Sequence, residues 1–498
     1  FADDLVLLSD SWDGMSRNLA VLEKFCDLTG LKVNPSKCHG FYIGVRGRSY
    51  TINECDQWML SNTPVHLIEA DGSEKYLGVQ INPKRGILKP QLLPQVRDFI
   101  ERISRACLKS SQKLEILRTF ALPRLIYTAD LGMVGRAELC ECDRVIRTCV
   151  KKWFHLQPSV ADGLLYSSRV DGGLGLVRLS AHIPTIQLRR ISRLYHSEDE
   201  CTKAMAKAAI PWREVRSLWS LATGVKANDA TTTSPGSFAD LDLDQASTAA
   251  WRDREFEGWC TLRSQGVGVA SFRGDKVSNN WLQDPVFTGL RGSELILGLQ
   301  LRTNMLPTLS TVGRFAGRQA QCRLCGMARE TVRHLVGCCR VLKPNRMRNH
   351  NKICGLLAME GRRLGWTVWQ ERRLRTDEGQ VGVPDLVMVK GDRALILDVT
   401  IQFETSVARL GEAAEEKKKK YTPFVSAIMR LCPGVTKVSV RGFPMGARGK
   451  WYGGNDRVLE LVGASKTRIK YFSRMLSRRA LLQTTDLCRA FRALARRE

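Results

Sequence analysis

The alternation of apolar and polar residues predicts a chain that begins with strands around one helix. The opening segment FADDLVLLSD predicts a strand, a turn and a second strand. Apolar residues then recur at helical spacing over 16–29, and Gly30 is a typical helix stop. Further strands are predicted at LKVN (31–34), KCHGFYIG (37–44) and EKYLGVQI (74–81).

The pattern changes twice further along the chain. Residues 89–222 read as mostly helical, with a glycine-rich loop at 171–176. The composition of 223–247 shifts to Thr, Ser, Asp and Gly, which predicts a linker or an exposed insertion. Basic helical sequence resumes at Trp251, a strand-rich α/β unit begins beyond Gly365, and a basic helical tail closes the chain.

Length and charge narrow the classes of function. A chain of 498 residues, 43% of them hydrophobic, has room for roughly three or four domains with real cores. Its 77 Lys and Arg against 50 Asp and Glu give a net charge of +27, which favours a nucleic-acid partner. No long apolar run or cationic leader is present, so we expect neither a membrane span nor secretion. The chain starts on Phe1 rather than Met, which predicts a fragment.

Sixteen cysteines do not indicate a disulfide scaffold in a chain of this length. Several of them crowd the stretch from Cys322 to Cys354. Such crowding favours metal binding in a reducing compartment.

The opening motif carries two adjacent carboxylates, Asp3 and Asp4, at the tip of the predicted hairpin. Two acids held together invite a divalent cation, and Mg²⁺ is what phosphoryl transfer to a nucleic acid requires. The alternative interpretation is an ordinary Asp-rich turn.

A second motif has the spacing of a zinc site: Cys322-x2-Cys325-x8-His334-x4-Cys339. Zinc needs four ligands that converge as a tetrahedron, and Cys and His are its usual ligands. Cys338 is the alternative fourth ligand, and packed thiols are the alternative to a metal site. The flanking arginines are candidates for nucleic-acid contact, although each alone could be a solvated charge. These candidates are Arg323, Arg329, Arg333, Arg346 and Arg348.

A third motif is the segment VGVPDLVMVKGDRALILDVTI, which predicts a β-hairpin with a two-residue turn at Gly391-Asp392. That register puts Asp385 directly opposite Asp398, with β-carbons about 4.5–5.5 Å apart, where like charges are destabilising. A metal ion would convert this repulsion into a binding site. In the alternative interpretation, Asp385 caps a turn after Pro384 and Asp398 is an exposed strand residue.

The segment SVARLGEAAEEKKKKY predicts a helix after this hairpin. Its spacing can aim Lys417 toward the two acids, where a cation would stabilise an attacked phosphate. Lys418 is the second choice, and a fully solvated lysine run is the alternative. The face of this predicted helix is formed by Val407, Leu410, Ala414 and Tyr421.

These motifs together resemble the C-terminal part of the polyprotein of a site-specific non-LTR retrotransposon of the type that inserts into ribosomal RNA genes. FADD, GLKVNPSKC (30–38) and EKYLGV (74–79) resemble motifs of a reverse transcriptase palm. KLEILRTFALPRLIY (113–127) and VDGGLGLVRL (170–179) resemble thumb motifs, and RTNMLPT (302–308) resembles the linker motif. The family places a further catalytic Asp upstream, so the chain is expected to have been cut just before its polymerase motif.

The pattern PD-x12-D followed by Lys and Tyr resembles the restriction-enzyme-like nucleases. The usual form of that superfamily has Lys two residues after the second acid, where this chain has Thr400. In this group of retrotransposons the Lys lies on the following helix, and Lys417-x3-Tyr421 is similar to that arrangement.

The resemblance implies a multidomain α+β and α/β protein with four parts: the end of a palm, a helical thumb and linker, a zinc knuckle and a nuclease. The predicted domains are palm 1–88, thumb and post-thumb 89–222, linker 223–250, basic linker with the knuckle (322–339) 251–350, and endonuclease with the basic tail 351–498.

The implied function is target-primed reverse transcription in the nucleus after synthesis in the cytoplasm. Asp385 and Asp398 would hold Mg²⁺ and Lys417 would stabilise the phosphate during nicking of chromosomal DNA. The new 3′-OH would then prime copying at a site that includes Asp3 and Asp4. The implied partners are ribosomal RNA genes, the element RNA, deoxynucleoside triphosphates and a second copy of the chain. The alternative is a catalytically dead or truncated zinc-dependent protein that only binds nucleic acid.

Overall fold

The computed structural model of the protein describes residues 4–132, 134–225, 238, 241–283, 289–312 and 320–495. The chain divides into two compact units. The first unit is Phe1–Arg102, Thr119–Val145 and Leu179–Leu241, and the second is Ile103–Arg118, Ile146–Arg178 and Asp242–Glu498.

The structure mixes many helices with small β-sheets, as the predicted α+β class requires. The helices are α1 (Trp12–Thr29), α2 (Leu92–Arg105), α3 (Ser110–Ile116), α4 (Leu122–Leu131), α5 (Arg136–Trp153), α6 (Asp162–Tyr166), α7 (Leu179–Tyr195), α8 (Glu200–Ala209), α9 (Trp212–Thr223), α10 (Thr248–Cys260), α11 (Asn280–Gln283), α12 (Gly292–Arg302), α13 (Leu309–Val312), α14 (Lys343–Arg363), α15 (Arg409–Tyr421), α16 (Val425–Leu431), α17 (Gly454–Val462) and α18 (Lys466–Leu494). The strands are β1 (His39–Gly40), β2 (Ile43–Arg46), β3 (Ser49–Ile52), β4 (Met59–Leu60), β5 (Thr63–Pro64), β6 (His66–Leu67), β7 (Glu74–Tyr76), β8 (Val79–Asn82), β9 (Gly86–Ile87), β10 (Thr367–Gln370), β11 (Leu374–Arg375), β12 (Val381–Gly382), β13 (Leu386–Lys390), β14 (Arg393–Gln402) and β15 (Lys437–Gly446).

The first helix follows the sequence pattern closely. It begins earlier than expected, at Trp12, because the side chain of Ser11 accepts a hydrogen bond from the Gly14 backbone N–H and caps it. It ends at Gly30, which adopts the left-handed conformation with φ 73°. The EKYLGVQI prediction is also confirmed, since β7 and β8 pair as an antiparallel hairpin.

Two predicted strand segments near the start were wrong. Residues 4–9 form no strand, because no backbone among the described residues pairs with theirs; Asp3 lies outside the described residues. LKVN is not a strand either. Its Asn34 caps a short 3₁₀ turn over Pro35–Lys37, and the ring of Pro35 removes a ladder donor.

The helical interpretation of residues 89–222 is confirmed by α2 to α9. The predicted loop 171–176 contains no strand or α-helix beyond the end of a 3₁₀ turn at Asp171. Residues 226–237 and 239–240 of the predicted linker lie outside the described residues. The four domain boundaries drawn from the sequence stay a prediction.

The second unit contains a four-stranded sheet with the order β10-β13-β14-β15. β13 pairs with β10 and β14 antiparallel, and β14 pairs with β15 parallel. Alternate residues of a strand face opposite sides of a sheet. Leu395 and Leu397 accordingly join a core with α14 and α18, whereas Ala394 and Ile396 join a second core with α15 and α16.

The C-terminal helix α18 is a core element rather than a loose tail. It spans 29 residues and buries a long apolar stripe that includes Phe472, Leu476 and Phe491. Its charged residues lie on the other faces, and Tyr471 is 64% exposed. None of the described helices is long and apolar enough to cross a membrane.

An ion cluster ties α14 to α18 and predicts an acid-sensitive stability. The carboxylate of Glu360, whose side chain is 4% exposed, accepts hydrogen bonds of 2.9 and 2.6 Å from Arg468. It also accepts bonds from Arg363. The Arg468 and Arg363 hydrogen bonds lower the pKa of Glu360 to about 2 from a usual 4.5.

A carboxyl with a lowered folded pKa adds stability that is complete above its unfolded pKa and is lost as the pH falls. We therefore expect the free energy of unfolding to drop by roughly 2–3 kcal/mol more in the wild type than in Glu360→Gln between pH 5 and pH 2. Urea titrations of both proteins at several pH values measure this difference. Parallel pH profiles for the two would contradict the prediction.

Candidate functional site

The four residues of the predicted zinc motif converge. One ligand atom from each of Cys322, Cys325, His334 and Cys339 lies within 4.8 Å of the others. The Cys322 and Cys339 Sγ atoms are 4.0 Å apart, and the Cys325 Sγ is 3.3 Å from the His334 Nε2. Such separations are those of a tetrahedral Cys₃His site. We call these four residues the cysteine–histidine cluster.

The choice of Cys339 over Cys338 agrees with this geometry, because Cys339 is buried and Cys338 is exposed. A tight turn holds the first two thiols, in which the Gly326 N–H donates to the Cys322 carbonyl at 2.8 Å. Burial, and then the nearby Arg346, lower the pKa of His334, which favours the neutral imidazole that metal ligation requires. The donor set therefore fits zinc.

A buried carboxylate supports the cluster from outside. The Glu330 side chain is 0% exposed and accepts hydrogen bonds from the Arg323 guanidinium at 2.7 and 3.0 Å. It also accepts from the backbone N–H groups of Arg323 and Leu309. Arg323 therefore has a structural partner, whereas the side chains of Arg329, Arg333 and Arg348 are exposed. Arg346 donates to the Cys339 carbonyl at 2.7 Å.

Adjacent cysteines make a matched test of this cluster. We expect Cys339→Ser to remove one zinc ion per chain after dialysis and Cys338→Ser to retain it, because only the first thiol lies in the cluster. Metal content measured by plasma mass spectrometry decides between them. Equal zinc content in the two variants would contradict the assignment of Cys339.

The hairpin predicted around Gly391-Asp392 forms with the expected register. Lys390 pairs with Arg393, and the ladder continues to the pair Leu386↔Leu397. Asp385 immediately precedes that last pair and Asp398 immediately follows it. Asp398 is 3% exposed and lies in the centre of the sheet, where it also pairs with Gly442 of β15.

The lysine of the following helix reaches the buried acid. Lys417 Nζ lies 2.6 Å from Asp398 Oδ2, whereas Lys418 pairs with Glu415 on the exposed side of α15. Gly442 makes this approach possible, because a β-carbon there would lie 2.6 Å from the Ala414 carbonyl oxygen and 3.0 Å from the Lys417 Cβ. The helix itself begins at Arg409, so Val407 lies outside it and is 71% exposed.

Two residues that the sequence reasoning missed contact the first acid. His350 Nε2 is 3.2 Å from Asp385 Oδ2, and Cys354 Sγ is 3.7 Å from His350 Nδ1. They lie four residues apart on α14 and so face the same way. The Asp385 hydrogen bond, followed by that of Cys354, raises the pKa of His350 to about 11. The crowding of cysteines up to Cys354 was the available signal.

Asp385 and Asp398 both raise the pKa values of Tyr421 and Cys354, so the two acids lie in one region. Burial raises the pKa of Tyr421, and Asp398 and then Asp385 raise it further. Burial also raises the pKa of Cys354, to which both acids contribute. Asp385 Oδ2 accepts a hydrogen bond of 2.6 Å from the Val399 N–H. We call Asp385, Asp398, Lys417 and His350 the hairpin site.

Only one of the two opening acids falls within the described residues. Asp4 is exposed and in no strand, and Asp3 lies outside the described residues. The role of this pair stays a prediction.

Known proteins are similar to the chain along nearly its whole length. It is 28% identical over 479 residues to a Retrovirus-related Pol polyprotein from type-1 retrotransposable element R2 of Popillia japonica, covering 94% of this chain and 92% of that relative. The chain resembles the Pol polyproteins of R2 retrotransposable elements. This confirms the resemblance drawn from the motifs.

Longer R2 relatives match as well. The chain is 26% identical over 479 residues to the R2 polyprotein of Nasonia vitripennis, which covers 94% of this chain and 43% of that relative. It is 26% identical over 485 residues to the polyprotein from type-2 element R2DM of Drosophila melanogaster, covering 96% and 43%. The chain thus spans less than half the length of these two relatives. No protein-family profile matches the chain.

Proposed function

We propose that this chain is part of an R2-type retrotransposon polyprotein whose C-terminal segment nicks DNA. The observation that carries the proposal is the hairpin site, where Lys417 Nζ lies 2.6 Å from the buried Asp398 and a second carboxylate follows from the hairpin register. The sheet with helices on both faces fits a restriction-enzyme-like nuclease domain over 351–498.

The donor set of the hairpin site fits a divalent cation. Hard carboxylate oxygens suit Mg²⁺, and the Asp398 side chain is buried, with only 3% exposure, so its oxygens need a partner there. Asp385 and Asp398 would hold the ion, which when bound supplies Lewis-acid stabilisation of phosphate charge and activation of water.

The remaining residues of the site act through charge and hydrogen bonding. The Lys417 ammonium places a positive charge where negative charge develops on the attacked phosphate. Protonated His350 holds the Asp385 carboxylate in place through its 3.2 Å contact. Tyr421, whose hydroxyl donates to the Val383 carbonyl at 3.0 Å, fixes the end of α15 beside the hairpin and thereby orients Lys417.

The cysteine–histidine cluster supplies a basic surface for the nucleic acid. Zinc would hold the loop that presents Arg329 and Arg333, and Arg348 follows on α14. These exposed guanidinium groups suit phosphate contacts, and such contacts weaken with salt. Arg323 is better suited to a structural role, because Glu330 already engages it.

The same proposal assigns a polymerase part to the N-terminal segment. Asp3 and Asp4 would contribute to a Mg²⁺-dependent site that copies the element RNA with deoxynucleoside triphosphates, primed by the nicked target. The target would be chromosomal DNA, with ribosomal RNA genes as the substrate class. The site of action would then be the nucleus, and a second copy of the chain would be a further partner.

Adjacent lysines test the nuclease part. We expect the wild type to nick a supercoiled plasmid that carries ribosomal RNA gene sequence in Mg²⁺ but not in a chelator. Lys417→Met should lower the nicking rate by about 10²-fold, which is roughly 3 kcal/mol of lost transition-state stabilisation, while Lys418→Met stays within twofold.

The measurement is the fraction of nicked plasmid over time, with DNA binding measured in parallel. A wild type that binds the plasmid and leaves it supercoiled would favour the alternative, a zinc-dependent nucleic-acid-binding protein. Equal losses in the two lysine variants would remove Lys417 from the proposed role.

A further inference from the structure

We infer that His39, His66 and Glu74 form a binding site for a transition-metal ion of the zinc class in the first unit. One ring nitrogen of each histidine and one carboxylate oxygen of Glu74 lie within 4.8 Å of one another. The site shares no residue with the cysteine–histidine cluster or the hairpin site. It is also independent of the proposed nuclease.

Strand register brings the two histidines together. β1 and β6 are parallel neighbours, and His39 is the direct partner of His66. Direct partners in a sheet point to the same face. The two rings accordingly meet edge to face, with centroids 5.3 Å apart and an interplanar angle of 88°. This arrangement lets a nitrogen from each ring approach one ion without a backbone change.

The third ligand comes from a separate sheet. Glu74 begins β7 of the β7-β8-β9 sheet, and its Oε1 lies 3.7 Å from His39 Nδ1. At that distance the contact is too long for a hydrogen bond, but the two atoms are close to the spacing of neighbouring ligands around zinc. A bound ion would therefore cross-link two sheets. Its ligands His39 and Glu74 are 35 residues apart along the chain.

Hydrogen bonds hold the segments that carry the ligands. On the histidine side, the Ile68 N–H donates to the Gly40 carbonyl at 2.8 Å, and the Asn53 amide donates to the Ile68 carbonyl at 2.7 Å. On the glutamate side, the buried Asn82 amide donates to the Ala70 and Gly72 carbonyls at 3.1 and 2.6 Å. The turn that leads into Glu74 is therefore fixed.

An aromatic core packs next to the strand that carries His66. Trp12 of α1 stacks on Trp58 with ring centroids 4.4 Å apart, and Val65, next to His66, is buried against Trp58. Side chains on a held backbone need only rotamer adjustments to close on an ion, so little ordering free energy is lost on binding.

The donor chemistry selects the class of ion. Two imidazoles and a carboxylate suit Zn²⁺ and its borderline neighbours rather than Mg²⁺ or Ca²⁺, which prefer oxygen ligands. Both histidines are exposed, so an ion can enter from solvent and keep a fourth, water-filled position. A site of this kind would stabilise the first unit by an amount that grows with the logarithm of the free ion concentration above its dissociation constant.

Calorimetric titration of ZnCl₂ into the full chain tests the inference. The protein is first shown by plasma mass spectrometry to hold zinc in the cysteine–histidine cluster. We expect one further equivalent to bind, with an affinity that falls at least about tenfold in His66→Gln and in Glu74→Gln. The control His196→Gln changes an exposed histidine of the same unit and should titrate like the wild type.

A second control separates this site from the hairpin site, because His350, Cys354 and Asp385 also converge. His350→Gln should leave the added equivalent intact. The inference is overturned if no zinc binds beyond the cluster, or if His66→Gln and Glu74→Gln both titrate like the wild type. Should His66→Gln lose its circular dichroism spectrum, Glu74→Gln decides. Failure to nick DNA would leave this result untouched.

Discussion

Replacing Asp398 with asparagine should reduce DNA nicking by this chain at least about 10³-fold, or roughly 4 kcal/mol of barrier, while DNA binding persists. The reason is positional. Asp398 is 3% exposed and contacts Lys417, so its charge serves both the proposed ion and the lysine. Asparagine keeps the shape of the side chain and removes that charge. DNA contacts are proposed to lie on exposed arginines, which the substitution does not alter.

Asp392 gives a matched control on the same hairpin. It lies in the turn, its side chain is 53% exposed, and its Oδ2 is 3.6 Å from the Lys437 Nζ, which is itself exposed. Asp392→Asn should therefore nick within twofold of the wild type. Plasmid nicking, gel-shift binding and thermal melting of the three proteins are the measurements. Nicking by Asp398→Asn within tenfold of the wild type, with an unchanged melting temperature, would exclude this acid from catalysis.

The geometry around Asp398 was predictable because a short turn leaves little freedom. A two-residue connection at Gly391-Asp392 admits one register, and every pair from Lys390↔Arg393 to Leu386↔Leu397 follows from it. The position of Lys417 needed only helical spacing from the buried face of α15. Local rules of this kind act over a few residues and can be read from the chain.

Contacts between distant segments could not be predicted in this way. His350 reaches Asp385 across 35 residues, and no periodicity relates α14 to β13. The opening segment shows the opposite kind of error, a predicted strand that does not form. FADDLVLLSD has the composition of a hairpin, but a strand forms only where another backbone supplies its hydrogen bonds, and none of the described residues does so for residues 4–9.

The linker motif RTNMLPT provides a further case, because its charged residue is buried rather than free. Arg302 is 1% exposed, donates to the Asn279 Oδ1 at 2.6 Å and stacks 3.5 Å over the ring of Phe272. Burial, together with nearby Arg448, lowers the pKa of Arg302 to about 9. The motif is therefore built into the interior of the second unit.

The position of Arg302 explains why the loop 171–176 has a glycine at residue 172. The sequence indicated only a turn. A β-carbon at Gly172, which has φ +92°, would lie 2.2 Å from the Arg302 Nη1. Gly172 thus serves both an unusual backbone conformation and the close approach of a guanidinium group. Neither requirement is visible until the two segments, 130 residues apart, are brought together.

Glu404 is a buried carboxylate that acts on both buried arginines, Arg302 and Arg448, so we expect its replacement to have a large effect on stability. Glu404 and Arg448 are both 0% exposed, with Arg448 Nε 3.5 Å from Glu404 Oε1. Arg448 in turn donates to Asn304 of the linker motif at 3.1 Å. Glu404→Gln would leave Arg302 and Arg448 buried without this counter-charge, and breaking one partner of a buried ion pair costs about 3–5 kcal/mol.

We therefore expect Glu404→Gln to lower the free energy of unfolding of the second unit by about 3–5 kcal/mol in urea titrations. The matched control is Glu412→Gln on α15, whose carboxylate is 56% exposed beside Arg409 and should contribute at most about 0.5 kcal/mol. A loss of under about 1 kcal/mol in Glu404→Gln would mean that other buried groups already balance the two guanidinium charges. Asp275 would be the first of those groups to test, because it raises the pKa of Arg302. The corresponding substitution is Asp275→Asn.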